Sequence, residues 1–317
     1  MIDIVAECSG AKTIGICGHI KPDGDCIGAT LALSLYLKKR LPEADITVFS
    51  DEIAPCFDCV DGIKQFNYAF DKEQPEIFIV VDTTENRTGN GEKYFKNAPK
   101  TINIDHHISN ENGCAMVNYV VPTASSASEL VYDLMDTSFV DREIAEAIYL
   151  GIAHDTGIFK YSCTSPKTLR VAAELITYGF DFPTLLDKTF YEKTYIQNLA
   201  MGRILLESRL HCDGKAISGF MDMKTMAEMG ISGKDFDGVI NQLRITEGVD
   251  CAIFMYQINA VTYKISLRSK QIADVAKVAE HFGGGGHVRA AGFYYKGEPE
   301  KILEEIINLI EADFQRG

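Results

Sequence analysis

Short, almost wholly apolar segments alternate with helix-patterned segments through the first half of this chain. That alternation constrains the fold more than any other feature. Residues 12–18 (KTIGICG), 45–50, 76–82 (EIFIVVD), 101–105 (TINID) and 115–120 read as strands. EIFIVVD lacks polar alternation, as expected for a strand buried on both faces of a parallel sheet. Residues 24–40, 125–136, 141–154 and 165–178 carry helical patterning. The first of these has basic residues at its C-terminal end, where they suit the helix dipole. Ser126 followed by Glu129 has the form of a capping box. Strands alternating with helices predict an α/β, doubly wound, mostly parallel sheet.

The pattern changes after Gly179. Residues 185–210 read as one long amphipathic connecting stretch. Beyond it come strand 216–220, helix 223–229, a hairpin of strands 250–258 and 262–268, and helix 272–282. A four-glycine loop, strand 292–295 and helix 298–314 follow. At 317 residues the chain suits two ordinary domains. The expected division is an α/β domain over 1–186, a connecting helix or linker over 187–209, and a smaller α+β domain over 210–317.

Acidic and histidine residues cluster in four places. These are His19-Ile-Lys-Pro-Asp23-Gly-Asp25, Asp82, Asp105-His106-His107 and His154-Asp155. The first three follow strands, and open α/β sheets bind ligands at the carboxyl ends of their strands. Each cluster also has a plain structural reading. Asp after a strand is commonly a turn residue or helix N-cap, and His154 reads equally well as a satisfied helix-end histidine. Two carboxylates one residue apart beside a glycine are poorly explained by a turn. Adjacent histidines after an apolar strand are costly to bury without partners. At least four Asp with two His suit Mn²⁺ or Mg²⁺ better than zinc, and that many ligands suit two ions sharing a carboxylate.

In the C-terminal half, Gly283-Gly284-Gly285-Gly286-His287 can turn backbone N–H groups toward an anion. The plain alternative is a linker or helix cap. Arg268-Ser269 ends a strand and is a second candidate anion contact.

Net charge is −14, from 31 Lys+Arg and 45 Asp+Glu. That argues against a protein holding long duplex nucleic acid by charge alone, but bound cations can reverse the sign locally. The longest apolar runs, such as CAIFMY, fall far short of the roughly 20 residues of a membrane span. No signal-peptide pattern precedes them. Nine scattered cysteines then read as reduced thiols of a cytoplasmic protein. The Cys56–Cys59 pair lacks the second pair a zinc site needs.

These clusters, in this order, resemble the DHH phosphoesterase family, in the branch with a C-terminal DHH-associated domain. The matching segments are GHIKPDGDCIGA (18–29), VVDTTENRTG (80–89), IDHH (104–107), HDTGIF (154–159), SLRS (266–269) and GGGGHVRAAG (283–292). Within the family the length and the last two motifs look like the nanoRNase/pAp-phosphatase type. The resemblance implies two Mn²⁺, with Mg²⁺ as an alternative, and an active site in an inter-domain cleft. Carried over by position, His19, Asp23, Asp25, Asp82, His106 and Asp155 are metal ligands, with Asp82 bridging. His107 contacts the phosphate and Asp105 supports the histidines. Arg87, Arg268, Ser269, Gly284, Gly285, Gly286 and His287 hold substrate. The family often places an acidic residue near the position of Glu85; here that assignment stays open.

The implied activity is hydrolysis of short oligoribonucleotides and of 3′-phosphoadenosine 5′-phosphate (pAp). Its partners are then short RNA or small nucleotides, with no long duplex and no membrane, and a homodimer stays open. A cyclic di-AMP or linear-dinucleotide phosphodiesterase shares every motif. A pyrophosphatase fits the C-terminal motifs poorly, and a non-catalytic nucleotide sensor would not need the full ligand set.

Overall fold

The computed structural model describes residues 2–316. The chain divides into two compact units, Met1–Glu192 and Lys193–Gly317.

Unit 1 opens with helix α1 (Ile4–Cys8). Its sheet comprises β1 (Thr13–Cys17), β2 (Asp45–Phe49), β3 (Ile77–Val81), β4 (Lys100–Asp105) and β5 (Val117–Val120). The spatial order is β2-β1-β3-β4-β5 and every pairing is parallel. That is a doubly wound order, with its switch point between β1 and β3. All five residues of β3 are buried, as its sequence predicts.

Helix α2 (Gly24–Arg40) follows β1, and α3 (Glu92–Asn97) precedes β4. Helices α4 (Ala127–Asp133), α5 (Arg142–Asp155), α6 (Pro166–Ile176) and α7 (Phe182–Leu186) complete the unit. Isoleucines of the strands (Ile14, Ile16, Ile79, Ile102, Ile104) share one core with Leu33, Leu37, Ile148 and Leu150 of the helices. Helices α2 and α5 pack at backbone distance. A Cβ at Gly28 would stand 2.3 Å from Ala147 O and 2.9 Å from Gly151 N.

Two local expectations are corrected. Ser126 does cap α4, accepting from Glu129 N at 3.0 Å, but no reciprocal bond closes a capping box. Glu129 instead accepts from Ser125 Oγ and Thr168 Oγ1 and faces Lys167; tertiary partners win over the local one. The 185–210 stretch is not one helix. It comprises the end of α7, a π-helical turn at Asp187–Tyr191, and α8 (Tyr195–Leu206). Thr194 and Gln197 form a reciprocal capping box that starts α8 afresh.

Unit 2 contains α8, β6 (Arg209–His211), β7 (Ala216–Met221), α9 (Met223–Met229), α10 (Val239–Arg244), β8 (Cys251–Asn259) and β9 (Thr262–Ser269). It ends with α11 (Val275–His281), β10 (Gly285–His287), β11 (Ala290–Lys296) and α12 (Pro299–Phe314). The sheet order is β10-β11-β9-β8-β7-β6, parallel only between β7 and β8. Helices α11 and α12 cover one face through Val275, Val278, Ile302, Ile306 and Ile310. On the other face α8 and α10 pack, through Ala200, Ile204, Val239 and Leu243, on Ile217, Ala252 and Phe254.

The four-glycine segment is not all loop. Gly283 N and Gly284 N donate to Glu280 O and Ala279 O, closing the C-terminus of α11. Gly285 and Gly286 join β10 and pair with Gly292 and Ala291. At Gly286, φ is +148° and a Cβ would lie 2.5 Å from Ala290 O, so this edge pairing needs a glycine.

Candidate metal centre

The sequence clusters of unit 1 converge where the strands end. His19 lies beyond β1 and Asp82 just beyond β3, flanking the switch point. Asp105, His106 and His107 close β4. Asp25 lies in the first turn of α2, and Asp155 is the last residue of α5. Asp82 takes up a left-handed backbone conformation, φ +61°, which Asp tolerates better than most side chains.

Asp82 is the centre of the arrangement. Its Oδ2 lies 3.5 Å from His19 Nε2, which is 3.7 Å from Asp23 Oδ1. Its Oδ1 lies 3.3 Å from His106 Nε2 and 3.7 Å from His107 Nδ1. His106 Nε2 also stands 3.4 Å from Asp155 Oδ2 and 3.8 Å from Asp25 Oδ2. Three overlapping sets, His19/Cys26/Asp82, Asp82/His106/His107 and Asp25/His106/Asp155, each bring ligand atoms within 4.8 Å of one another. The buried Asp82 Oδ1 has no hydrogen-bond partner. A buried, unsatisfied carboxylate oxygen is costly, and a cation between the imidazoles and carboxylates would satisfy it. Asp and His donors in this proportion fit a divalent ion of the Mn²⁺ or Mg²⁺ type.

The electrostatics carry the same message. Burial opposes charge on His19, but Asp23 and Asp82 outweigh it and raise the imidazole pKa to about 10. His106 is raised to about 10 in the same way, by Asp82, Asp25 and Asp155. Burial and neighbouring carboxylates push Asp155 up to about 6 and Asp25 well above its ordinary value. Without a cation the site recruits protons to offset its own negative charge.

The supporting contacts are specific. Asp25 Oδ2 accepts from Ala127 N at 2.7 Å and Oδ1 from Ser128 N at 2.9 Å, so the first turn of α4 clasps it. Asp23 is also the N-cap of α2, accepting from Asp25 N and Cys26 N. Its plain structural reading and its place beside His19 therefore hold together. Asp105 Oδ1 accepts from His106 N, His107 N and His107 Nδ1, the last at 2.7 Å. Its Oδ2 accepts from Asn110 Nδ2 at 2.6 Å, and Asn110 also donates to Asn103 Oδ1. The Asp105 bond raises the pKa of His107 and leaves its Nε2 unengaged by that carboxylate.

Sequence reading missed Asn103, Asn110 and Cys26. Asn110 sits three residues past His107 and looks like a loop residue. The Cys26 thiol is held protonated by burial and by the charges of Asp82 and Asp23. It packs under Gly18, where a Cβ would lie 2.1 Å from Sγ. His154 has a structural position. Its Nε2 pairs with Thr189 Oγ1 at 3.0 Å, its ring packs against Phe57 and Phe190, and burial lowers its pKa to about 4. Arg87 is exposed, and its carbonyl accepts from Ile20 N.

Among the expected substrate contacts of unit 2, Arg268 lies on the face of β9 away from α11 and α12, half-buried. Its pKa is lowered by burial and by Arg244. Ser269 is buried on the opposite face, its hydroxyl near Val288 O and Arg289 Nη1. Adjacent strand residues point to opposite faces, which separates this pair. Gly285, Gly286 and His287 are exposed on the edge strand, whereas the Gly284 N–H is already engaged by α11.

Residues 13–152 match the DHH family, N-terminal domain, and residues 215–316 match the DHHA1 domain. A probable bifunctional oligoribonuclease and PAP phosphatase of Streptococcus mutans is 29% identical over 321 residues. The alignment covers 97% of this chain and 98% of that protein. The bifunctional oligoribonuclease and PAP phosphatase of Thermus thermophilus is 29% identical over 316 residues, covering 96% and 90%. Among solved structures, an exopolyphosphatase-related protein from Bacteroides fragilis matches with a TM-score of 0.85 at 24% identity. It covers 98% of this chain and 94% of that one.

Proposed function

This chain belongs to the DHH family and carries a DHHA1 domain, and from that premise we propose that it is a phosphoesterase using two Mn²⁺. Its substrates are short oligoribonucleotides and pAp. The observation that carries the proposal is the placement of Asp82. Its two oxygens face separate donor groups, His19 with Asp23 and His106 with Asp25 and Asp155. The relatives that align end to end with this chain bear names for both activities.

In this reading His19, Asp23, Asp25, Asp82, His106 and Asp155 hold the ions, Mg²⁺ being able to substitute. Bound there, two divalent ions supply a water deprotonated near neutral pH and neutralise charge on the phosphoryl oxygens. The chain's own residues do the rest. Asp105 accepts a hydrogen bond from His107 Nδ1, fixes the ring and raises its pKa, so the protonated ring presents Nε2–H to a phosphate oxygen. The α4 amides hold Asp25 in place by donating to both of its oxygens. From unit 2, Arg268, Gly285, Gly286 and His287 contact the nucleotide end. Arg87 of unit 1 contributes a further cation toward substrate.

The test is purified protein with Mn²⁺ on a fluorescent RNA dinucleotide, pAp, a cyclic dinucleotide and pyrophosphate. Turnover of the first two is expected. Cleavage confined to the cyclic dinucleotide or pyrophosphate would overturn the assignment.

A further inference from the structure

The acidity of the protein is not shared evenly. Unit 1 holds 16 Lys+Arg against 29 Asp+Glu, whereas unit 2 holds 15 against 16. Within unit 2, residues 262–296 carry six basic residues and two acidic ones. That segment comprises β9, α11, β10 and β11, and it includes an open half of the sheet.

Strand register defines this surface. Along β9, Tyr263, Ile265, Leu267 and Ser269 are buried, leaving Lys264, Ser266 and Arg268 in a row on the other face. Helix α10 covers that face over β7 and β8 through Val239 and Leu243. Over β9 and β11, Lys264, Ser266, Gly292 and Tyr294 line an open cavity of about 440 Å³, with Gly283 and Gly284 at its edge. Lys264 pairs in register with Tyr256 on β8 and Tyr294 on β11, giving a Tyr–Lys–Tyr row across three strands. The Lys264 Nζ lies over the Tyr256 ring, 5.9 Å from its centroid, and Tyr294 is 63% exposed. Ser266 pairs with Gly292 and Arg268 with Ala290, so small residues keep the floor between the two cations low. Among the described residues, Lys264, Arg268 and Arg244 form no ion pair with a carboxylate.

A cationic groove floored by small residues and ended by an exposed aromatic ring is the chemistry that binds a single strand. Phosphates follow the cations and a base stacks on the ring, without sequence preference. At about 3.3 Å per residue, Lys264 stands roughly 13 Å along β9 from Arg268. We propose that Lys264 and Tyr294, with Ser266 and Gly292 between them and Arg268, bind the nucleotides of an RNA substrate beyond the one held at Arg268. They thereby set the preference for substrate length. This rests on the phosphoesterase reading above, and it adds residues that the six motifs do not contain as ligands.

The experiment compares full-length wild type, Lys264→Ala, Tyr294→Ala, Lys264→Arg and Tyr294→Phe. KM and kcat are measured on RNA dinucleotide and pentanucleotide with Mn²⁺, alongside fluorescence-anisotropy binding of a labelled pentanucleotide. For each alanine variant, the ratio of pentanucleotide to dinucleotide KM should rise about fivefold or more, the low end of base–aromatic stacking. The kcat ratio should hold, and Lys264→Arg and Tyr294→Phe should restore the wild-type ratio. An unchanged KM ratio together with unchanged anisotropy overturns the proposal. Equal losses on both lengths, unrescued by the conservative variants, also overturn it, as a folding effect. Wild-type failure to cleave either oligonucleotide sinks the phosphoesterase reading instead. In that event loss of pentanucleotide binding in the alanine variants, read by anisotropy alone, still decides the role of Lys264 and Tyr294.

Discussion

Gly151 offers a substitution whose effect follows from the packing around it. It lies in α5, one helical turn before Asp155. A methyl group there would stand 1.9 Å from Ser128 Oγ and 2.7 Å from both Ser128 Cβ and Asp25 Oδ1. Ser128 cannot turn away without moving, because its Cβ is part of the clash. The first turn of α4 must therefore retreat from α5, and its amides hold Asp25 at 2.7 and 2.9 Å. Overpacking of this kind costs about 1–3 kcal/mol. It is opposed by the roughly 1 kcal/mol that Ala gains over Gly inside a helix. Gly202, inside α8 with nothing within 4 Å of its would-be Cβ, supplies the control. Gly202→Ala should stabilise by up to about 1 kcal/mol and leave metal binding alone. Gly151→Ala should lose stability, and its Mn²⁺ affinity should fall about 10–100-fold through displacement of Asp25. Urea denaturation and calorimetric Mn²⁺ titration read the two effects. Gly151→Ala that gains stability like Gly202→Ala, with unchanged Mn²⁺ affinity, would refute the reasoning.

Two further substitutions test the supporting contacts. Asn110→Ala strips a donor from Asp105 Oδ2 and from Asn103 Oδ1, both buried. Each orphaned acceptor should cost about 1–3 kcal/mol, and turnover should fall about 10–100-fold as His107 loses its fixed partner. Denaturation and steady-state kinetics check this, and wild-type stability would contradict it. Glu129 is a buried carboxylate. Burial opposes its charge, but Ser125, Thr168 and Lys167 outweigh burial and hold its pKa below the ordinary value of 4.5. A depressed carboxyl contributes stability that is present above 4.5 and lost as pH falls through its folded pKa. Glu129→Gln should thus be less stable than wild type at pH 7, with the gap narrowing at pH 4 and below. A gap that stays constant from pH 7 to pH 3 would contradict this.

How much of this was legible in the sequence follows physical lines. The strands of unit 1 and the residues at their ends were readable because buried parallel strands leave an uninterrupted apolar run. Aspartates and histidines directly after such runs then share one sheet edge. Convergence of Asp82 and His106 needed only the sheet order, since β2-β1-β3-β4-β5 brings the ends of β3 and β4 side by side; Asp155, at the end of α5, needed helix packing as well. What failed depended on partners distant in the chain. Glu129 left its local cap because Thr168, 39 residues on, and Lys167 compete for it. Gly28 and Gly151 are ordinary helix residues until the opposing helix is known. The short β6 and α10 have too few residues to show a period. Ser269 is a different case. Its position next to Arg268 on a strand already placed the two side chains on opposite faces, and motif matching passed over that period of two.

The central claim is that the Asp82 constellation holds a pair of catalytic divalent ions, and Mn²⁺ stoichiometry tests it most directly. Metal-free protein is titrated with Mn²⁺, bound ion is counted by electron paramagnetic resonance, and the dinucleotide hydrolysis rate is followed in the same samples. The account predicts that the rate saturates only at about two ions per chain, and that Asp82→Ala abolishes both tight binding and turnover. Full activity in the metal-free protein, or saturation at one ion per chain, would contradict it, as would Asp82→Ala binding Mn²⁺ like wild type.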